Sequence, residues 1–457
     1  MTADADAGVV FHPPRGVKPK PPRFGGKHFF KARAEGAPTT TRQAEVLNTA
    51  IIGTPGDNRG VVIGTDQLSG AMVAHDPFTA YEGHHITSPN VCLIGCLGTG
   101  KSSCIKTVYV MRQLTMRRRR AVVMDKKMRD GEGEYAETTR QHGAEPFRFD
   151  PDDPRGSTCM NVLDPVILAG GGPAVQRQLL SAVAELAGDG PLDEWHNAAL
   201  THAYNATMAK FDGGRTPIIP DLIEQIPGIV NAPEFAGLRG ATLDLIERAA
   251  WSLRFRLERL LADDLAGMFG GETSKHVTLH PKLTTFDISA LPEDGPATSM
   301  VMVVANAWLM GMLTHDRGWR TSFIAEEGWH LLAGPGGKVI RSKSKLSRGL
   351  GLSIVAAIHH LSDIPKDSDA VAMIKEAQTI HLFRQEHDTD IQDCVKYFGL
   401  EPSNAGVLGI LPQGEHLLKI GSEKEIRVNH VRTEREVQFT ETDKAMLLPE
   451  PAKVMMT

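Results

Sequence analysis

Lysine and serine directly follow a glycine-rich stretch in a pattern suited to binding phosphate. The residues GCLGTG occupy positions 95–100, and Lys101 and Ser102 come next. This is the full GxxxxGK[ST] P-loop pattern. Glycines let backbone N–H groups surround a phosphate, the lysine reaches the β- and γ-phosphates, and the serine hydroxyl coordinates Mg²⁺. The predicted nucleotide-binding residues are Gly95, Cys96, Leu97, Gly98, Thr99, Gly100, Lys101, Ser102 and Ser103.

Two adjacent glutamates form a second group that could do chemistry. Residues 323–325 are apolar, and Glu326 and Glu327 follow them directly. A Walker B strand ends in acids of this kind, which hold the Mg²⁺ shell and polarise the attacking water. The pattern therefore predicts a metal and water site that serves the P-loop. The alternative is a buried strand with two solvated glutamates at its end.

A third group surrounds the apolar run 352–358. Arg348 precedes this run, and His359 and His360 follow it. In open α/β sheets, ligands bind outside the carboxyl ends of the strands, near the point where the strand order reverses. If this run lies beside the P-loop strand, the two histidines face the γ-phosphate.

The elements that must position these residues alternate between strand and helix. Apolar runs with glycine turns at residues 60–77 predict a β-hairpin, and a helix is expected over 101–116. Core strands are predicted at 91–94, 121–125, 147–151, 283–291, 323–327 and 352–358, with a buried helix over 297–313. Later runs at 380–385, 416–421 and 425–431 are predicted to be closing edge strands.

Between residues 175 and 269 the apolar residues recur at spacings of three and four. This spacing is the signature of amphipathic helices and predicts an all-helical insert in an α/β domain. Four arginines, Arg117–Arg120, come after the predicted P-loop helix. Cations are favourable at any helix C-terminus, so a solvated helix end and a nucleic-acid contact both remain open for them.

Composition restricts the class of protein. The 457 residues are 41% hydrophobic and 23% charged, with a net charge of −5, which argues against wholesale coating of nucleic acid. Five cysteines form no CxxC pair, as in a reduced cytoplasmic protein. No apolar stretch is long enough for a membrane span, and the N-terminus has no signal-peptide pattern. Residues 1–45 are basic and proline-rich, which predicts a flexible arm.

The ordered series of motifs resembles one family, the assembly ATPases of type IV secretion and conjugation within the HerA/FtsK group of RecA-like motors. The matching pieces span residues 60–446 and are SGAMVAHDP, PNVCLIGCLGTGKSS, VVMDKK with GEYAE, FRFDP with NVLDP, LAGMFGGETS, TTFDISAL, IAEEGWHLL, and the strand before LSDIP. The P-loop alone is generic to many proteins. The series is much more specific.

The resemblance implies an α/β fold with a RecA-like P-loop NTPase core, a parallel-rich sheet, an all-α insert and a small N-terminal β-hairpin region. The implied segments are the arm 1–45, the hairpin region 46–90, the core 91–170, the insert 171–272, the second part of the core 273–446 and the tail 447–457. It also implies a homo-oligomer, expected to be a hexamer, that hydrolyses ATP with Mg²⁺ and contacts membrane secretion-channel subunits from the cytoplasm.

Site roles follow from the same resemblance. Lys101 and Ser102 hold phosphate and Mg²⁺, Glu326 stands at the Walker B metal position, and Glu327 matches the catalytic glutamate. His359 occupies the position of a γ-phosphate sensor, and Arg348 is an arginine finger supplied to the neighbouring subunit. The chain departs from the family pattern in having Glu326 for aspartate and His359 for glutamine. The family's larger N-terminal domain is missing or reduced to the arm and hairpin.

Three functions remain open on the sequence alone. The leading one is an ATPase that energises assembly of, or substrate transfer through, a conjugation-type channel. A DNA-translocating pump or coupling protein is the second, and the basic run RSKSKLSR at 341–348 is its candidate DNA contact. The third is a scaffold that binds ATP without turnover.

Overall fold

The computed structural model describes residues 59–188, 190–292, 295–326, 349–363 and 369–440. The described residues all belong to the compact unit Thr54–Thr457. Several sequence predictions lie outside the described residues: the arm 1–45, the tail 447–457, Glu327, Arg348 and the basic run 341–348. The domain boundaries stay a prediction.

The described chain contains both strands and helices. The strands are β1 (Val61–Asp66), β2 (Met72–His75), β3 (Val91–Ile94), β4 (Arg119–Asp125), β5 (Met128–Arg129), β6 (Glu132–Gly133), β7 (Phe147–Arg148), β8 (Leu283–Asp287), β9 (Arg320–Glu326), β10 (Leu352–Ile358), β11 (Thr379–Leu382), β12 (Glu415–Ile420) and β13 (Ile426–His430). The α-helices are α1 (Pro77–Glu82), α2 (Lys101–Cys104), α3 (Ala136–Gln141), α4 (Pro165–Ala187), α5 (Glu194–Lys210), α6 (Ile219–Gln225), α7 (Ala241–Arg259), α8 (Pro296–His315), α9 (Asp369–Glu376), α10 (Asp388–Phe398), α11 (Asn404–Leu408) and α12 (Glu434–Thr440).

The described residues form an 11-stranded sheet in the order β2-β1-β13-β12-β11-β3-β10-β9-β4-β8-β7. All neighbours from β11 to β7 pair in parallel. The remaining pairs, from β11 to β2, are antiparallel. Parallel strands covered on both faces are near-continuous apolar runs, as β3 is with all four residues buried. The α/β fold with a parallel-rich sheet is confirmed.

The predicted hairpin forms as β1 and β2, but it is not a separate small sheet. Strand β1 pairs with β13, which makes the hairpin the far edge of the main sheet. The prediction that residues 380–385, 416–421 and 425–431 form closing edge strands is wrong in a related way, because β11, β12 and β13 each have a partner strand on both sides. Strand β11 is interior, between β3 and β12. Its four residues are all buried, as a strand paired on both sides and covered on both faces requires.

Both sequence readings of the arginine run are wrong for its last two members. Arg119 and Arg120 lie inside β4 and are buried. The Arg119 guanidinium pairs with Asp76, and Arg120 pairs with Asp316 while its Nε donates to Thr321 Oγ1 at 2.8 Å. A buried guanidinium is tolerated only when it is paired and hydrogen-bonded, and these partners supply that compensation.

The helical insert is confirmed by α4, α5, α6 and α7. Helix α4 is broken at Gly172, whose φ of 73° and ψ of 179° are not helical. The buried apolar residues of these helices join those of α8 and of one sheet face in a single cluster. The insert therefore shares its hydrophobic core with the sheet layer.

Helix α8 is the central helix of this cluster. It is long and apolar enough to cross a membrane, with a mean hydropathy of 1.5, but 78% of the apolar window is buried within the protein. This agrees with the predicted buried helix. Helix α8 meets α4 where Gly311 and Gly170 face each other. A Cβ on Gly311 would lie 2.2 Å from the carbonyl oxygen of Val166, so only glycine allows this approach.

We expect Gly311→Ala to lower the free energy of unfolding by roughly 1–3 kcal/mol, because the added methyl meets backbone that cannot yield. The control is Gly406→Ala in α11, where an added Cβ meets nothing within 4 Å. That change should be neutral or slightly stabilising, since alanine is the better helix former. Urea denaturation of both variants measures the difference, and equal midpoints would contradict the packing argument.

Candidate nucleotide-binding site

The P-loop motif has the strand-loop-helix context that phosphate binding requires. Strand β3 ends at Ile94, and α2 begins at Lys101. The loop between them turns through Gly98 and Gly100, whose φ values are 71° and 106°. These left-handed values favour glycine at both positions. Within the loop, the Thr99 hydroxyl donates to the Cys96 carbonyl at 2.8 Å.

The helix after the P-loop has the predicted extent but an unexpected geometry. Helix α2 continues directly into a π-helix over Ile105–Arg112 and a final 3₁₀ turn over Gln113–Thr115. Helices of the π type are rare, and they occur frequently at functional sites. The wide segment is buried from Ile105 through Val110, between the sheet and α12.

Lys101 is buried and is turned into its own loop. Its Nζ donates to the carbonyl oxygens of Gly95 and Cys96, the latter at 2.8 Å. The same Nζ lies 3.2 Å from Nδ1 of His359. His359 follows β10, which pairs with the P-loop strand, with Ile358 opposite Ile94. The lysine and the predicted sensor position are therefore adjacent.

Glu326 ends strand β9 at the same edge of the sheet and is 6% exposed. The Tyr135 hydroxyl donates to its Oε1, and Lys127 Nζ lies 3.6 Å from its Oε2. Lys127 Nζ also donates to Ser102 Oγ at 3.1 Å. Burial alone would raise the pKa of Glu326. The charges of Lys127 and Lys106 and the tyrosine hydrogen bond outweigh burial and hold that pKa below its ordinary value.

These residues fit a Mg²⁺ ion. Oxygen donors suit this metal, which often takes only one or two protein ligands and completes its shell with water and phosphate oxygens. Ser102 and Glu326 supply two such oxygens, and both side chains are in contact with one ammonium. Glu326 Oε2 is a buried acceptor without a hydrogen-bond partner among the described residues. No group of three or more His, Cys, Asp or Glu in the described ranges is placed to hold a metal by itself.

The remaining P-loop predictions have distinct surroundings. Cys96 is buried, whereas Leu97 at the loop tip is 75% exposed. The Ser103 hydroxyl donates to the carbonyl of Thr440 in α12 at 3.1 Å. Glu327 and Arg348 lie outside the described residues, so their predicted roles stay predictions.

Sequence reasoning missed the residues that hold the loop after β4 in place. Asp125 ends β4 and accepts a hydrogen bond from the backbone N of Tyr135 at 2.7 Å. Asp287 ends the neighbouring β8 and accepts one from Gly133 N at 3.1 Å. Burial raises the pKa of Asp125 well above its ordinary value. The sequence signal was present in VVMDKK and GEYAE, but only the fold shows that Lys127 meets Ser102.

Two further contacts near the site were not predicted. The backbone N of Gly414, which precedes β12, donates to the Thr99 carbonyl at 2.9 Å. His360 Nδ1 lies 2.9 Å from Oδ2 of Asp390 in α10. No local pattern announces either contact, because each joins segments far apart in the sequence.

A layer of buried and half-buried histidines lies beneath the P-loop helix. His381, His416 and His430 occupy the neighbouring strands β11, β12 and β13. Tyr109 Oη and His381 Nε2 are 2.6 Å apart, and Thr107 Oγ1 and His430 Nε2 are 2.8 Å apart. Burial lowers the pKa of His416 to about 3 and that of His430 to about 4. The layer is therefore neutral and ties the P-loop helix to the antiparallel half of the sheet.

No protein-family model matches the sequence, and no curated protein is significantly similar to it. Solved structures do share its fold. VirB4 of Thermoanaerobacter pseudethanolicus superposes with a TM-score of 0.65 at 18% identity, covering 84% of this chain and 100% of that one. The plasmid coupling protein TrwB, in complex with the non-hydrolysable ATP analogue ADPNP, gives 0.54 at 15% identity, covering 88% and 96%.

A TrwB complex with ADP and Mg²⁺ gives a TM-score of 0.53 at 14% identity, covering 87% of this chain and 93% of that one. At these identities the likeness concerns the fold. The resemblance read from the motif series is thus confirmed for the fold, including the RecA-like core.

The histidine layer predicts acid sensitivity. An unfolded histidine has a pKa near 6.5, whereas His416 and His430 titrate at about 3 and about 4 in the fold. The unfolded chain therefore binds more protons in between, and stability is lost progressively as the pH falls below about 6.5 toward 4. Urea unfolding across that range measures the loss.

His416→Phe provides the matched variant, because neither ring nitrogen of His416 has a hydrogen-bond partner among the described residues. Removing the group should flatten the dependence of stability on pH. An unchanged slope in this variant would rule out His416 as a source of the acid sensitivity.

Proposed function

We propose that this chain is an ATP-hydrolysing motor that powers assembly of, or substrate transfer through, a type IV secretion or conjugation channel. The observation that carries the proposal is the meeting of Lys101, Ser102 and Glu326 at one sheet edge, within a fold shared with VirB4. Ligands of open α/β sheets bind at this edge, outside the carboxyl ends of the strands. Nucleotide and Mg²⁺ are accordingly the proposed ligands.

Each residue of the edge has a proposed task. The backbone of residues 95–103 surrounds the phosphates, and Lys101 leaves the carbonyls of Gly95 and Cys96 to neutralise them. Ser102 and Glu326 hold Mg²⁺, which supplies charge neutralisation on the phosphates when it is bound. A Lys101 ammonium held within its own loop needs little reorganisation to reach a phosphate there.

Glu327, His359 and Arg348 complete the proposal. Glu327 directly follows the metal-site Glu326 and orients and deprotonates the attacking water. His359, within hydrogen-bond distance of Lys101, reports on the γ-phosphate. Arg348 is assigned to the catalytic site of the adjacent subunit, which requires an oligomer, and the form implied by the family resemblance is a homohexameric ring. The ring is proposed to work in the cytoplasm and to reach the membrane through channel subunits.

A DNA-translocating coupling protein is the second candidate. The likeness to TrwB, a plasmid coupling protein, extends over 88% of this chain and favours keeping it. The two functions share their chemistry and differ in what the ring moves. Stimulation of ATP turnover by double-stranded DNA separates them, because a pump couples hydrolysis to its track.

Lys101→Ala should lower ATP turnover by roughly 10²-fold or more, since it removes the cation that stabilises charge on the transferred phosphoryl group. Phosphate release is measured with and without double-stranded DNA. Lys396→Ala, at an exposed position of α10, is the control for loss of a lysine. Wild-type turnover in a folded Lys101→Ala protein would refute the ATPase proposal. Strong stimulation of wild-type turnover by DNA would favour the DNA-translocating pump over the secretion ATPase.

The two glutamates should respond differently to loss of charge. Glu327→Gln keeps the shape but cannot accept a proton, so the variant should bind ATP and fail to hydrolyse it. Glu326→Gln should weaken binding of the Mg²⁺–ATP complex. Filter binding of labelled ATP, followed by phosphate release, distinguishes the two. If Glu326→Gln is the variant that traps ATP, the two roles are reversed.

A further inference from the structure

The ammonium of Lys127 contacts both side chains assigned to the metal. Its Nζ is 3.1 Å from Ser102 Oγ and 3.6 Å from Glu326 Oε2. The second distance is an ion pair without a hydrogen bond, and Oε2 has no hydrogen-bond partner elsewhere in the described residues. A protein cation thus already contacts the two side chains that the proposed metal ion would need.

The backbone of Lys127 is fixed, whereas its side chain is able to leave. The Lys127 carbonyl accepts a hydrogen bond from Glu134 N at 3.0 Å, which closes the loop carrying β5 and β6. The side chain is 33% exposed, against 6% for that of Glu326. A lysine on a flexible four-carbon stem can therefore swing outward without unfolding its loop, while the carboxylate stays in place.

Two cations cannot share these oxygens. An ammonium carries one charge, whereas Mg²⁺ or Mn²⁺ carries two and binds oxygen at about 2.1 Å. The divalent ion gains more from the carboxylate, but it must first displace a positive charge that is covalently held nearby. The affinity of the metal is therefore reduced by the strength of the lysine contacts, and loading the metal moves the lysine.

We propose that Lys127 is a tethered counter-ion that competes with the divalent metal for Ser102 and Glu326, and that metal binding expels its ammonium toward solvent. This inference rests on the proposed function for the identity of the metal site. Lys127 then acts as a regulating residue. It neutralises Glu326 when no metal is bound, and it sets the metal concentration at which the site fills.

The test measures Mn²⁺ binding to the full chain by electron paramagnetic resonance of the free ion, without nucleotide. Lys127→Met and Lys127→Gln remove the charge, and both should bind one Mn²⁺ about tenfold more tightly than the wild type, as expected for loss of a partly buried like charge. Lys127→Arg keeps the charge and should stay near the wild type. Adding Glu326→Gln to Lys127→Met should abolish the gain.

Lys126→Met is the control for loss of a neighbouring lysine charge, and the Nζ of Lys126 donates to the Leu291 carbonyl. It should leave Mn²⁺ affinity unchanged. In the wild type, the extent of chemical acetylation of Lys127, measured by mass spectrometry, should increase when Mn²⁺ is added. Equal, weaker or unmeasurable Mn²⁺ binding in both neutral Lys127 variants would overturn the inference.

The proposed function can be tested independently of the inference about Lys127. Binding of a fluorescent ADP to the wild type tests it without reference to Lys127. If the protein binds no ADP but gains Mn²⁺ affinity when Lys127 is neutralised, the counter-ion inference is supported and the proposed ATPase function is contradicted. If the protein binds ADP but its Mn²⁺ affinity does not rise when Lys127 is neutralised, the proposed ATPase function is supported and the counter-ion inference is contradicted.

Discussion

Burial of several carboxylates at one edge of the sheet is the constraint on which the rest of the site depends. Asp125, Asp287 and Glu326 end the neighbouring strands β4, β8 and β9, and all three are buried. Burial and nearby like charges both disfavour the ionised form of a carboxylate. Burial and its neighbours raise the pKa of Asp125, whereas nearby lysines lower that of Glu326. Of Asp125 and Glu326, the carboxylate nearer the P-loop is therefore the one whose ionised form is favoured.

The compensating donors come from one short segment. The loop after β4 supplies backbone N–H groups to Asp125 and Asp287, and it supplies the Tyr135 hydroxyl and Lys127 ammonium to Glu326. A buried acceptor without such donors costs free energy comparable to a lost hydrogen bond or more. The loop is consequently a structural requirement of the fold and a part of the site, which explains why its few residues touch so many catalytic candidates.

Local patterns predicted what depends on neighbouring residues in the chain. The P-loop, the Glu326 strand and the helical insert follow from spacing alone, and the motif order predicted the RecA-like core. Arg119 and Arg120 were misread because their partners, Asp76 and Asp316, are distant in sequence and no spacing rule points to them. The interior positions of β11, β12 and β13 were missed because strand order is set by packing across the whole domain. Glu327 and Arg348 remain predictions from the motif series.

The contact between the P-loop and Gly414 has a mechanical consequence. A Cβ added to Gly100 would lie 3.3 Å from the Gly414 backbone, so main chain touches main chain with no side chain between. The backbone N of Gly414 donates to Thr99 O, and the backbone N of His430 donates to Gly414 O. His430 in turn pairs with Gly64 of the hairpin. A contact between two main-chain segments transmits the displacement of one segment to the other more directly than a contact through rotatable side chains does. The phosphate loop and the outermost strands are therefore rigidly coupled through hydrogen-bonded main chain.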